Sequence, residues 1–296
     1  MRRRGGSPVS APVAALDEGE VPTQARRSWT RFARQRPELA VGLAIVIFML
    51  ALALLAPVIM PYPPDQTNFL ATLQPPGPAH WLGTDNLGRD VLSRVLAGAA
   101  SSLVSAVGAV VLALVAGTTV GVCAAHVTGS VWDDVLMRMM DSILALPPLV
   151  LAIAVAFVLG SGLINAVLAI AVVFTPPFAR LARAKALQVQ GLGYVEAALS
   201  EGAGTPRILF HHVVPNIMGP SLAAAVLNVG SAVIIEASLS FLGLGLAPPA
   251  PTWGFMISTG VNYLAQAPWL VLFPSAAIAV SVFGFTLLGR GLQDRR

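Results

Sequence analysis

Apolar positions run in long blocks that charged residues do not enter. Residues 39–64, 95–132, 142–179, 208–235 and 237–289 contain no Asp, Glu, Lys or Arg. A stretch of 18 or more apolar residues is long enough to cross a bilayer as a helix, and about 20 residues cover the hydrocarbon. The pattern predicts six such helices, at about Leu39–Met60, Ser101–His126, Val135–Leu159, Leu163–Ala179, Ile217–Leu242 and Pro268–Leu288. The third block is divided into two helices at Gly160–Gly162. In lipid the backbone must satisfy its own hydrogen bonds, and the short alternating segments of a β-barrel are absent, so the fold class is an all-α polytopic membrane protein.

Between the first two blocks lies a long loop, about 61–100. It opens with PYPPDQ, which cannot be helix interior. Leu87, Val91, Leu92, Val95 and Leu96 then recur at helical spacing, with Asp90, Ser93, Arg94 and Ala97 on the other side. This predicts a short amphipathic helix over Leu87–Ala99, lying near the membrane surface and capped by Thr84 or Asp85. A second loop, about 245–266, is rich in proline and carries Trp253, with Trp269 just beyond.

Composition agrees with this reading. Of 296 residues, 56% are hydrophobic and only 11% charged, against roughly 25% charged in soluble domains. A soluble enzyme, a disordered chain and a disulfide scaffold (one cysteine, Cys123) are all poor fits. The net charge of +4 reflects flanking residues, not a nucleic-acid surface. Arg2, Arg3, Arg4, Arg26, Arg27, Arg31, Arg34 and Arg36 precede the first helix, and Arg138 opens the third. Arg180, Arg183, Lys185 and Arg207 lie between the fourth and fifth, and Arg290, Arg295 and Arg296 follow the sixth. Six spans put all of these on one face, leaving only Arg89 and Arg94 on the other, so both termini are expected in the cytoplasm.

The first run starts too late for a secretory signal. Residues 1–28 read as a flexible cytoplasmic tail, and 29–38, containing WTRFARQR, as a short interfacial helix or ordinary basic flanking residues. Residues 39–290 form the six-helix domain and 291–296 a cytoplasmic end.

Within the spans, Ala113, Gly117, Gly121 and Ala125 recur every four residues and predict a close-packed helix seam. Pro147–Pro148 falls in the third span, and Pro176–Pro177 near the end of the fourth. Glu236 is the one carboxylate deep in a span, two turns after Asn228, and these two are the candidate pathway or gate residues. Interhelical structure is the competing role for Glu236, and the expected one for Asp141. There is no phosphate-binding G-x-x-x-x-G-K-[ST], no H-E-x-x-H and no G-x-S-x-G, and the four histidines make a metal site a weak reading. Any work against a gradient must draw on a partner or on a coupled ion.

The cytoplasmic loop at 180–216 reads as helix–turn–helix, with Pro206 opening a second short helix. It also carries a signature. Glu196, Ala197, Ala198, Gly202, Val214 and Pro215 follow the spacing of the EAA loop, with His212 at its hydrophobic position and HVVPN at its end. HWLGTDNLGRD (80–90), WDDVLMRMMD (132–141) and EASLSFLGLGLAPPAPTWG (236–254) accompany it. Together these resemble an ABC importer permease, the C-type subunit of dipeptide, oligopeptide or nickel importers, over about residues 36–292. The chain departs from that pattern at VQGLGY (189–194), where relatives carry a charged stretch, and at Thr175, where tryptophan is common.

The resemblance implies a type I ABC importer permease fold and a bacterial inner-membrane location. It implies a homologous B-type permease as the other half of the pathway, two ATPase domains beneath, and an extracytoplasmic binding protein above. ATP and Mg would bind the partners, and this chain would hold no cofactor or metal and perform no catalysis. The helix around Ala198–Ile208 would be the coupling helix, with Glu196, Ala197, Ala198, Gly202, Ala203, Arg207 and Pro215 as the contact set. Gly202 would give the tight turn and Pro215 would end the segment. Gly83, Asp85, Gly88, Arg89 and Asp90 would form the outer-loop motif. Peptide is favoured over nickel because few histidines or acids occur in the spans. An ion-coupled carrier would need more buried polar groups and an inverted repeat.

Overall fold

The computed structural model describes residues 37–195, 202 and 204–293. The tail at 1–28, most of the 29–38 segment, the chain end from 294, and Glu196, Ala197, Ala198 and Ala203 of the contact set lie outside the described residues. Those described contain helices and no strand, save one isolated bridge between Thr84 and Asp90.

In order the helices are α1 (Pro37–Ile59), α2 (Val91–His126), α3 (Val131–Leu144), α4 (Pro148–Leu159), α5 (Leu163–Gln190), α6 (Thr205–Ile208), α7 (Val214–Phe241), α8 (Trp253–Val261) and α9 (Trp269–Gln293). A 3₁₀ turn covers Phe69–Ala71, and a π-helical turn, Leu209–Val213, joins α6 to α7. Five helical segments are long and apolar enough to cross a membrane, and α3 with α4 would make six. We call the end of the bundle carrying residues 61–90 outer and the opposite end inner.

Four expectations need correction. The short surface helix over Leu87–Ala99 does not exist as a separate element. Its residues from Val91 onward are the first turns of α2, which runs 36 residues to His126, about 54 Å. The polar stripe expected in water is buried: Asp90, Ser93 and Arg94 are 2% exposed or less. The cap is Asp90, not Thr84 or Asp85; its carboxylate accepts from the Ser93 backbone N–H at 2.8 Å.

The third span is not one helix. α3 and α4 meet at 96° across Ala145, Leu146 and Pro147. Two successive prolines remove two backbone donors and bar helical geometry in the residue before each, so the chain turns there. α4 alone is 12 residues, about 18 Å, shorter than the hydrocarbon.

The fourth span continues past Pro176–Pro177 to Gln190, about 16 Å beyond Ala179. A proline removes one bond of an established helix, and close packing on α2 holds α5 together across the pair. The loop at 245–266 also contains a helix that periodicity did not predict, α8, capped by Thr252 Oγ1 accepting from Phe255 N.

The main core lies among α1, α2, α5, α7 and α9 and includes Leu103, Val110, Ile170, Phe178 and Leu239. The most extensive pair is α2 with α5. Gly117 and Gly121 of the predicted seam lie against Thr175 O and Ala179 O, where a methyl group would overlap the α5 backbone. Ala113, Ala125, Gly117 and Gly121 are all buried. The small residues thus let two backbones approach closely, as the stripe predicts.

Candidate functional site

Three places answer to the predicted site residues: an outer knot, a buried carboxylate, and the inner loop with its mounting.

The outer knot gathers all five motif residues. Gly83 (φ +78°) and Gly88 (φ +72°) have left-handed backbones, which glycine adopts without steric cost. A side chain at Gly88 would strike the Asn68 carbonyl, and one at Gly83 would strike Gln74 O and the Trp269 indole. These turns aim Asp85 inward. Its Oδ1 accepts from the backbone N–H of Leu87 (2.8 Å) and Arg89 (2.9 Å), and its Oδ2 from Arg89 Nε (2.7 Å). Arg94 Nε stands 3.6 Å from the same Oδ2, and Arg94 Nη1 donates to Pro64 O at 2.9 Å. Asp90 accepts from Ser93 Oγ on one oxygen (2.8 Å) and bonds His80 Nδ1 on the other (2.9 Å). The Trp269 indole N–H donates to Thr84 O at 3.2 Å, tying the knot to α9.

Charges of both signs are therefore matched inside a closed structure. The arrangement holds a shape. His80, Thr84 and Trp269 belong to it although periodicity did not group them with the motif, and Ser93 and Arg94, which periodicity placed beside Asp90, join it too. The signal available was the density of polar residues immediately before an apolar helix.

Deeper in the bundle, Glu236 of α7 is 2% exposed. Ser240 Oγ donates to its Oε1 at 2.8 Å, and its Oε2 has no hydrogen-bond partner among the described residues. Above it α8 docks. The Trp253 backbone N–H donates to Ser102 Oγ of α2 at 3.3 Å, and its indole N–H to Val95 O at 3.0 Å. Gly254 sits against the carbonyl of Ala237, with no room for a side chain. Glu236 thus stands where α2, α7 and α8 converge. Asn228, half-buried, is not brought to it. Eight residues along a helix are about 12 Å and some 80° around the axis.

At the inner end, a second core mounts the loop. Val122 and Ala125 of α2, Ala182, Ala186 and Val189 of α5, Val195, Ile208 of α6, Val213 and Ile217 pack together. Gly202 is exposed in a turn at φ +84°, the conformation its predicted role requires, and Arg207 is exposed. Pro215 does not end the segment. Helix runs from Thr205 through Pro215 to Phe241, with the π-turn just ahead of the proline. The ring of Pro215 cannot tolerate a normal turn behind it, and the widened turn accommodates it. Asn216 Nδ2 donates to the His212 carbonyl (2.6 Å) and to the Tyr194 hydroxyl (3.1 Å), closing this turn over the loop.

Two ion pairs brace α3 against the inner part of α5. Arg183 Nε and Nη2 donate to Asp133 Oδ1 (2.8 Å) and Oδ2 (2.6 Å), and Arg180 Nη2 to Asp141 at 2.5 Å. The expected structural role of Asp141 matches this pairing. Among the described residues, no group of three His, Cys, Asp or Glu side chains could hold a metal ion.

Comparison with known proteins gives two family matches. Residues 117–295 match the binding-protein-dependent transport system inner membrane component, and residues 23–76 the N-terminal transmembrane domain of oligopeptide transport permease C. The glutathione transport system permease protein GsiD of Pectobacterium atrosepticum is 39% identical, covering 99% of this chain and 97% of that protein. The di/tripeptide transport system permease protein DppC of Pseudomonas aeruginosa is 40% identical over 99% of this chain and 97% of its own. The dipeptide transport system permease protein DppC of Alkalihalophilus pseudofirmus is 41% identical over 86% and 83%.

Proposed function

The chain belongs to the binding-protein-dependent transport system inner membrane component family, with the type I ABC permease fold, and from that premise we propose that it forms half of a path for di- or oligopeptides. The relatives named for dipeptides, di/tripeptides and glutathione favour a peptide substrate over nickel. A homologous B-type permease completes the path, two ATPase domains bind ATP and Mg at the inner end, and an extracytoplasmic binding protein delivers substrate to the outer end. The membrane is the bacterial inner membrane, with both termini in the cytoplasm.

One observation carries the mechanical part. The inner core grips both ends of residues 196–207, through Val195 and Ile208, and joins them to α2, α5 and α7. A push on this loop therefore reaches three long helices at once. In this reading Glu196, Ala197, Ala198, Gly202, Ala203, Arg207 and Pro215 form or position the coupling surface seated on one ATPase. ATP binding shifts that surface, and α7 carries the shift toward Asn228 and Glu236. Glu236 is the fulcrum beneath α8. It holds the helices that separate when the outer end opens, and no substrate atom need touch it. The outer knot keeps a fixed face for the delivering protein.

The test is peptide uptake by vesicles containing the assembled importer. Removing Ala198–Ile208 is expected to abolish ATP-driven uptake while the chain remains inserted and bound to the second permease. Uptake at the normal rate would refute the coupling role.

A further inference from the structure

At the inner end a cavity of about 820 Å³ opens between α5, α7 and α9. Its walls are Leu181 and Lys185 of α5, Pro220 and Leu222 of α7, and Leu292 and Gln293 of α9. Glycine and alanine of α7 complete the wall, which is apolar apart from one cation and one amide. Lys185 is the only lysine in the chain.

The cations of α5 divide by face. Arg180 and Arg183 are engaged by Asp141 and Asp133 of α3. Lys185 stands one turn after Leu181 on the cavity side. Its ammonium donates to the Gln188 amide oxygen at 3.1 Å, and no carboxylate among the described residues pairs with it. Depth gives a second constraint. Leu181 and Lys185 lie about 3 and 9 Å past Ala179, where the charge-free stretch ends. That interval spans the headgroup layer, which adds roughly 5–8 Å on each side of the hydrocarbon.

We infer that this cavity is a binding site for an anionic phospholipid. Lys185 holds the phosphate, Gln293 offers its amide to the headgroup, and Leu181, Leu222 and Leu292 receive the upper acyl segments. The size falls within the usual range of ligand sites, about 300–1,000 Å³. Basic pockets between helices on the cytoplasmic side are suited to such headgroups. The inference rests on the orientation proposed above, which puts the inner end at the cytoplasmic leaflet. A lipid seated here wedges α5 and α9 against the foot of α7, so its occupancy bears on the helix that follows the inner loop.

The experiment uses the importer assembled from the full-length chain and its partners, extracted in mild detergent and stripped of lipid. It is incubated with phosphatidylglycerol or with phosphatidylcholine, and retained lipid is counted by native mass spectrometry. The expected result is preferential retention of phosphatidylglycerol, falling about fivefold in Lys185→Gln, the effect of one basic residue near an anionic surface, and preserved in Lys185→Arg. Glycerol phosphate, which has the anion without the chains, is expected not to displace it. Equal retention by Lys185→Gln, no preference between the lipids, or displacement by millimolar glycerol phosphate would overturn the site. So would displacement by a dipeptide with a free carboxylate but not by its amide, which would make the cavity a peptide site. The readout needs neither ATP nor uptake, so its failure leaves the transport reading standing, and loss of uptake alone leaves the lipid site standing.

Discussion

The indole of Trp253 reaches over the outer part of α2 and donates to the carbonyl of Val95, 158 positions earlier in the chain. The side chain is 1% exposed and lies against Gly98. This residue ties α8 to α2. Trp253→Phe keeps most of the buried area and loses the hydrogen bond. It should cost about 1 kcal/mol, against about 3–5 kcal/mol for Trp253→Ala. Thermal unfolding of the detergent-solubilised protein separates the two; similar midpoints for both variants would refute this account of the contact.

At Gly121 an added side chain meets the carbonyl of Ala179 and the methyl of Ala182. Backbone cannot move aside as a flexible side chain does, so Gly121→Val should separate α2 from α5. Inserting bulk into such packing costs about 1–3 kcal/mol or more. The variant should accumulate poorly in the membrane, measured by immunoblot. Gly219→Val, where nothing lies within contact of a new methyl, is the matched control and should accumulate normally.

Pro215 forces the wide turn at Leu209–Val213. Pro215→Ala restores a donor and lets that turn tighten, which rotates α6 and the preceding loop relative to α7 by up to one residue, about 100°. Assembly should persist while ATP-driven uptake falls at least tenfold. Uptake at the parental rate, with normal amounts of protein, would show that the turn does not set the loop's angle.

For Glu236 the useful comparison is between Gln and Ala. Gln still accepts from Ser240 Oγ, so uptake and melting should change little. Ala removes the acceptor from a buried hydroxyl and leaves a hole, costing about 1–3 kcal/mol for the orphaned group alone. Loss of uptake in Glu236→Gln with unchanged stability would assign the charge itself a part in transport, contrary to a fulcrum role.

Much of the frame was legible along the chain. Charge-free blocks mark the apolar cores of the helices because a charge in hydrocarbon is costly. The four-residue stripe announced the α2–α5 seam because helical geometry stacks i and i+4. The motif at 83–90 is one structure because its glycines and aspartates are close in sequence and fold locally.

What escaped depends on contacts far apart in sequence. Asp90, Ser93 and Arg94 read as a wet helical face, and the return of residues 62–65 and of His80 and Asp85 over them makes that face interior. Pro176–Pro177 read as a stop, and packing against Gly117 and Gly121 overrides it. Pro147–Pro148 read as one break among several, and the right angle it makes is invisible to periodicity. Trp253 stood out only as an aromatic in a proline-rich loop, and its hydrogen bond to Val95 joins segments that no local pattern relates.

Helix α2 contains no proline, and its 36 residues join the knot at one end to the inner core at the other. A stiff rod of this kind acts as a lever arm. From Gly121 to Arg94 is about 40 Å, so a tilt of roughly 5° about the inner seam sweeps the outer end through about 3–4 Å. Small displacements at the inner end thus arrive magnified at the outer end, with no hinge along the way to absorb them.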